Sequence, residues 1–163
     1  MEDLASFVRC YELELEGLTR LAFVACGDLA SAEDAVADAV VKVWARWRKD
    51  EIENLGAYLR RAVVNELVDR GRRRRRRQAR EALIVVGDAR SIEDVVVDRE
   101  SLWRALQGLP IEHRVVLALR YYCDLSESQT AEALGVPLGT IKSRASRGLQ
   151  LLRVVFTKVG PDG

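Results

Sequence analysis

The sequence predicts an all-α protein made of two small helical domains joined by a flexible linker, and three observations carry that prediction. The chain has 163 residues, 48% of them hydrophobic, which is enough apolar material for real cores. Only three prolines interrupt a sequence rich in Ala, Leu, Arg and Glu, and no strand-turn-strand pattern competes with its helical periodicity. Between Ala82 and Ser91 that periodicity lapses into LIVV followed by Gly87 and Asp88, the mark of a boundary. The domains are therefore placed at residues 1–80 and 98–163, with a linker over 81–97.

The first helix runs from about Asp3 to Cys26. Leu4, Phe7, Val8, Tyr11, Leu15, Leu18, Ala22 and Ala25 form its apolar stripe, and Gly27 ends it. Ser31, followed by Glu33 and Asp34, reads as the start of a second helix with acidic residues in its first turn. Val36, Ala39, Val40, Val43 and Trp47 supply its buried side. Glu33, Asp34 and Asp38, edged by Val41 and Trp44, lie on another face. A docking surface would look like this, and so would a plain solvated face.

A polar loop from Trp47 to Asn54 comes next, and Asn54 is placed to cap a third helix with Leu55, Tyr58, Leu59, Ala62, Val63 and Leu67 inward. Asn65 and Asp69 interrupt it as polar residues. That helix continues into six consecutive arginines, Arg72, Arg73, Arg74, Arg75, Arg76 and Arg77. They complement the negative end of the helix dipole and offer a dense comb for phosphates. Beyond the linker a fourth helix starts near Ser91, with Asp94 as capping partner and Val95, Leu102, Trp103 and Leu106 apolar, and stops at Gly108. Pro110 opens a fifth, with Val115, Val116, Leu119 and Tyr122 inward.

The stretch from Leu125 to Leu149, LSESQTAEALGVPLGTIKSRASRGL, has the spacing of a helix-turn-helix. Ser126 and Gln129 make a capping box. Gly135 supplies a left-handed turn, a small residue at Ala131 lets the second helix cross, and Pro137 sits just inside that helix. Ile141, Ala145 and Leu149 face inward at helical spacing, which gathers Lys142, Ser143, Ser146 and Arg147 on the opposite face as donors for base edges and phosphates. Thr140, in the first turn, can add a hydroxyl to backbone amides around a phosphate. A solvated helical hairpin in a plain bundle would share this spacing.

Charge is distributed unevenly behind a net of +1. Met1 to Asn54 holds twelve acidic against six basic residues, whereas Glu66 to Arg80 packs eight arginines against two acids. Two basic zones and an acidic front end suggest a chain that meets nucleic acid twice and another partner at its acidic surface. Cys10, Cys26 and Cys123 are odd in number and widely spaced, with His113 as sole imidazole, which is no zinc signature; buried reduced thiols are expected. No signal segment and no apolar run near 18 residues is present, so a soluble cytoplasmic protein without membrane contact is expected. Neither a Ser/His/Asp set, a metal cluster nor a phosphate-binding glycine loop is present, so no catalytic residue, metal or cofactor is expected.

Two long motifs then resemble a known family over nearly the whole chain. LPIEHRVVLALRYYCDLSESQTAEALGVPLGTIKSRASRGLQLLR, from Leu109 to Arg153, is similar to region 4 of the group IV, or extracytoplasmic-function (ECF), sigma factors of bacterial RNA polymerase. SAEDAVADAVVKVWARW and AYLRRAVVNELVDRGRRRR are similar to regions 2.2 and 2.3 to 2.4, with wording nearest the actinobacterial SigE-like branch. The resemblance implies a sigma factor that binds core polymerase through its β′ clamp helices and β flap, recognises −10 and −35 promoter elements and assists strand opening. It implies Glu33, Asp34, Asp38 and Trp44 for clamp docking, and the loop Trp47 to Asn54 with Asn65 and the arginines for the melted −10 element. Lys142, Ser143, Ser146 and Arg147 would serve the −35 element, with Arg120 touching DNA from the preceding helix. An anti-sigma factor is a further partner the resemblance admits. A helix-turn-helix regulator that acts without polymerase, or a helical adaptor whose arginines bind RNA or acidic partners, would share parts of the pattern.

Overall fold

The computed structural model describes residues 2–47, 52–82 and 99–157, and every regular element among them is helical. The order is α1 (Glu2–Cys26), α2 (Leu29–Trp47), α3 (Leu55–Ala82), α4 (Arg99–Gly108), α5 (Ile111–Leu117), α6 (Glu127–Leu134) and α7 (Leu138–Thr157). α5 runs directly into a π-helical turn, Ala118–Tyr122. Positions 48–51 of the polar loop, positions 83–97 of the linker with position 98 after it, and the expected helix start at Ser91 and Asp94 lie outside the described residues.

α1, α2 and α3 pack on one another as a three-helix bundle. Leu18, Leu21, Val43, Leu59, Val63, Val64 and Leu67 are all but fully buried in it. Each such side chain contributes roughly 1.5–3 kcal/mol by leaving water. The start of α2 differs from expectation: the cap is Asp28, whose carboxylate accepts the Ser31 N–H at 2.8 Å, not Ser31 itself. Ser31 therefore lies inside the helix, which begins two residues earlier. That hydrogen bond also draws the Asp28 carboxyl below its ordinary range. Asn54 does cap α3, accepting the Ala57 N–H at 2.9 Å. At the start of α1, Leu4 and Val8 of the expected stripe are exposed, because the bundle covers that helix from Phe7 onward and mainly over its second half.

In the second half α5, α6 and α7 surround Val116, Ile141 and Ala145. The α6 N-terminus carries the full capping box, with Gln129 N–H on Ser126 Oγ at 3.1 Å and Ser126 N–H on Gln129 Oε1 at 2.8 Å. Gly135 closes α6 in the left-handed region at φ 62°, a conformation that glycine adopts without the Cβ penalty. Pro137 stands one residue before α7 rather than inside it, and its carbonyl accepts the Thr140 and Ile141 N–H groups. Tyr122 faces outward, 55% exposed, contrary to its expected inward position. The cause is the π-turn: Cys123 N–H bonds Ala118 O, five residues back, and the extra residue per turn rotates Tyr121 and Tyr122 into solvent.

The two halves do not stand apart. α3 packs on α5 and α6, α1 packs on α5, and Ile111, Val115, Ala118 and Leu119 belong to the same apolar cluster as the three-helix bundle. α4 joins through Trp103, stacked on Phe23 with ring centroids 5.0 Å apart, and Gln107 Nε2, which donates to Val24 O at 3.0 Å. Leu102, expected inward, is exposed on the other side of that helix. Glycine permits a close approach of backbone to side chain: a Cβ on Gly71 would lie 2.6 Å from Ile111 Cβ.

Candidate nucleic-acid interface

On α7 burial separates the two faces cleanly. Ile141, Ala145 and Gly148 are buried, whereas Lys142, Ser143, Ser146 and Arg147 are exposed together. Four donors are thus held on a rigid helix whose opposite face is packed, an arrangement suited to a major groove. Lys142 Nζ lies 3.9 Å from Glu127 Oε2, a loose surface contact that DNA can displace. Ser143 Oγ donates to Thr140 O at 3.1 Å, and Thr140 is half-buried in the first turn. Arg120 is not directed freely outward: its guanidinium donates to Leu125 O and lies 5.8 Å above the Tyr121 ring. It braces the turn into α6.

The second basic zone is the end of α3. Asn65 is exposed near its middle, and Arg72 to Arg77 are all exposed around its last turns. These arginines are not equivalent. Arg72 Nε pairs with Glu112 Oε1 at 2.8 Å and so ties α3 to α5. Burial pushes the Glu112 carboxyl up, but the Arg72 hydrogen bond outweighs it and the group lies below its ordinary range. Arg76 Nε donates to Arg72 O at 3.4 Å, while Arg77 meets Glu81 only at 4.0 Å. The helix-turn-helix meets α3 nearer that helix's start: its Gly135 turn sits beside Arg61, whose Nη2 would be 2.5 Å from a Cβ on that glycine.

The acidic face of α2 adjoins the second basic zone through Arg70. Glu33, Asp34 and Asp38 are exposed, and Val41 is 67% exposed beside them. Trp44 is half-buried and turned inward, its ring meeting Phe7 edge-on with centroids 4.9 Å apart. Asp38 is engaged by Arg70, which also donates through Nε to Glu66 Oε1 at 2.8 Å, and Lys42 holds the other oxygen of Glu66. This four-membered network is a feature the helical pattern did not predict. Glu66 is only 6% exposed, yet its hydrogen bonds from Lys42 and Arg70 outweigh the effect of burial and keep its carboxyl below the ordinary range. The signal available in the sequence was an i,i+4 pair, Glu66 and Arg70, inside an apolar run.

The three cysteines are free thiols, all half-buried. Burial raises the pKa of each, which disfavours the reactive thiolate. Among the described residues no cluster of His, Cys, Asp or Glu could hold a metal ion, and no helix is long and apolar enough to cross a membrane.

A packed helix-turn-helix with an open donor face, joined to a bundle that carries an arginine comb, is the architecture of a DNA-binding protein. Residues 10–77 match the family described as Sigma-70 region 2, and residues 99–152 match Sigma-70, region 4. The chain is 29% identical over 154 residues to the RNA polymerase sigma-E factor of Streptomyces coelicolor, covering 94% of this chain and 87% of that one. It is 31% identical over 162 residues to the ECF RNA polymerase sigma factor SigL of Mycobacterium tuberculosis, with 92% and 88% covered. A solved structure of the sigma factor RpoE of Bartonella quintana, in complex with the anti-sigma factor NepR, superposes with a TM-score of 0.68 at 28% identity, covering 93% of this chain and 97% of that one.

The chain belongs to the extracytoplasmic-function sigma factors of the sigma-70 family, with relatives among the actinobacteria. Sigma factors bind core RNA polymerase, direct it to promoter DNA and allow transcription to initiate; they are initiation factors, not enzymes of their own.

Proposed function

We propose that α7 reads the −35 element through Lys142, Ser143, Ser146 and Arg147, and that Asn65 and the arginines at the end of α3 engage the melted −10 strand and its phosphates. Thr140 supports a phosphate at the start of α7. Arg120 serves by bracing the turn ahead of α6, and any DNA contact it makes is to a phosphate, without sequence information. Glu33, Asp34 and Asp38, with Val41 beside them, form the surface for the β′ clamp helices, while Trp44 supports that surface from behind. The β flap would meet the second half, and an anti-sigma factor is a further partner, since the Bartonella relative forms a complex with one. Residues 1–80 and 98–163 act as the two working units, in the cytoplasm and without catalytic residues.

The observation that carries this reading is the exposure of the four α7 donors opposite a buried Ile141, Ala145 and Gly148. The test is transcription with core polymerase from a promoter library randomised over the −35 element. Lys142 and Arg147 can each pair with guanine O6 and N7, a contact worth about 1–3 kcal/mol of discrimination. Lys142→Ala and Arg147→Ala should each lower activity and relax preference at one base pair. Arg120→Ala should lower it evenly across the library. Uniform loss in all three variants would mean that α7 does not read bases.

A further inference from the structure

We propose that the cleft between α3 and the corner joining α4 to α5 binds a small polyphosphorylated anion, an inorganic polyphosphate chain or the phosphate chain of a nucleotide, held by Arg74 and Arg114 together. The cleft has a volume of about 1080 Å³, large enough for a nucleotide-sized ligand. Arg70, Arg73, Arg74, Arg77 and Arg114 are among its walls, and its floor includes Cys26 and Leu67.

The carboxylates in the cleft are already committed. Glu66 and Asp38 are taken by Arg70, Glu112 by Arg72, and the Asp28 carboxylate by the Ser31 N–H. Arg74, by contrast, makes no hydrogen bond or ion pair among the described residues, and Asp28 acts on it only through space.

Arg114 is the more unusual group. It is half-buried and donates only to neutral carbonyl oxygens: Ala25 O at 2.5 Å, Gln107 Oε1 at 2.6 Å and Leu109 O at 2.8 Å. Its Nε is buried with no partner at all. Two of its acceptors lie at the ends of α1 and α4, where the negative pole of a helix partly compensates the charge. Burial disfavours this guanidinium, and Arg74 is close enough to disfavour it further by repulsion. Two cations that make no ion pair therefore line one concave space, with Asp28 acting on Arg74 only from a distance. An anion there would relieve the repulsion and accept the forked donors of Arg74, while Arg114, whose Nη1 is committed to carbonyl oxygens and whose Nε is buried, adds its charge from the cleft wall. Several phosphates fit better than one, because the arginines spread along two turns of α3.

The same helix provides its own control. Arg76 lies about 200° around α3 from Arg74 and takes no part in the cleft wall. Calorimetric titration of the full chain with sodium tripolyphosphate at fixed ionic strength should give one site per chain. Arg74→Gln, at an exposed position that folding does not need, should weaken binding about tenfold or more. Arg76→Gln removes an identical charge from the opposite face and should change affinity less than about twofold. Arg114→Gln, which removes the charge, should weaken binding as well; if that variant does not fold, the Arg74 and Arg76 pair still decides.

A nucleoside triphosphate binding more tightly than tripolyphosphate would assign the remaining volume to a base, and equal affinities would assign the site to the phosphate chain alone; both support the proposal. Equal losses in Arg74→Gln and Arg76→Gln, several ions bound per chain, or no heat of binding would overturn it. The titration contains neither DNA nor polymerase, so it can fail while the promoter reading above still stands.

Discussion

Replacing Glu66 by glutamine keeps the volume of the side chain and removes one charge from the network that links α2 to α3. Glu66 is 6% exposed and accepts from Arg70 at 2.8 Å and from Lys42. A glutamine can still accept one of those bonds, but its amide nitrogen must face the other donor. Breaking a fully buried ion pair costs about 3–5 kcal/mol. The cost here is lower, because Arg70 keeps Asp38 and Lys42 is 66% exposed and can rehydrate. One charge-assisted hydrogen bond lost and one donor opposed give about 2 kcal/mol. For a chain of this size that corresponds to a fall in Tm of about 4–8 °C, read by far-ultraviolet circular dichroism at pH 7.

The pH dependence has a definite sign. The Glu66 carboxyl lies below its ordinary value of 4.5 in the folded protein, so its contribution is complete above that value and is lost as the pH falls through the lower, folded value. The gap between wild type and variant should therefore narrow as the pH falls below 4.5. A variant within about 1 °C of wild type at pH 7, or a gap that persists unchanged in acid, would refute the assignment of Glu66 as the charged centre of the network.

Reversing Asp34 and Asp38 to lysine should weaken capture of core polymerase by about tenfold or more, with helical content unchanged, since both are exposed and Asp38 has only Arg70 to lose. Undiminished capture would remove the acidic face of α2 from the docking surface. Gly71→Ala would force a Cβ to within 2.6 Å of Ile111 Cβ, a branched carbon next to the backbone that cannot swing away. Overpacking of this kind costs about 1–3 kcal/mol, and thermal unfolding should show α3 and α5 losing their contact with a Tm lower by several degrees. An unchanged Tm would mean that the two halves are not held together at this point.

What was legible in the sequence was whatever depends on neighbours within a turn or two. The capping box at Ser126 and Gln129, the left-handed Gly135 and the alternation of Ile141 and Ala145 with Lys142 and Arg147 are all set by short spacing, and the structure shows them as read. The errors have the same origin. Ser31 and Asp28 are both capping residues, and the choice between them turns on where Gly27, with φ 91°, releases the chain from α1. Tyr122 follows an unbroken helical period in the sequence, and only the π-turn moves it to the surface.

Nothing of that range could reveal how the halves meet. The packing of α3 on α5 depends on a glycine at position 71 meeting an isoleucine forty residues later, and Arg72 finding Glu112 across the same gap. Six consecutive arginines look alike in a sequence. Folded on one helix, they divide by direction: Arg72 fastens the halves, Arg74 turns towards Arg114 and the cleft, and Arg76 faces the other way. A run of identical residues thus becomes three different groups because a helix turns about 100° per residue. The charge count alone predicted a phosphate-binding comb; the geometry determines which teeth are free to meet a phosphate.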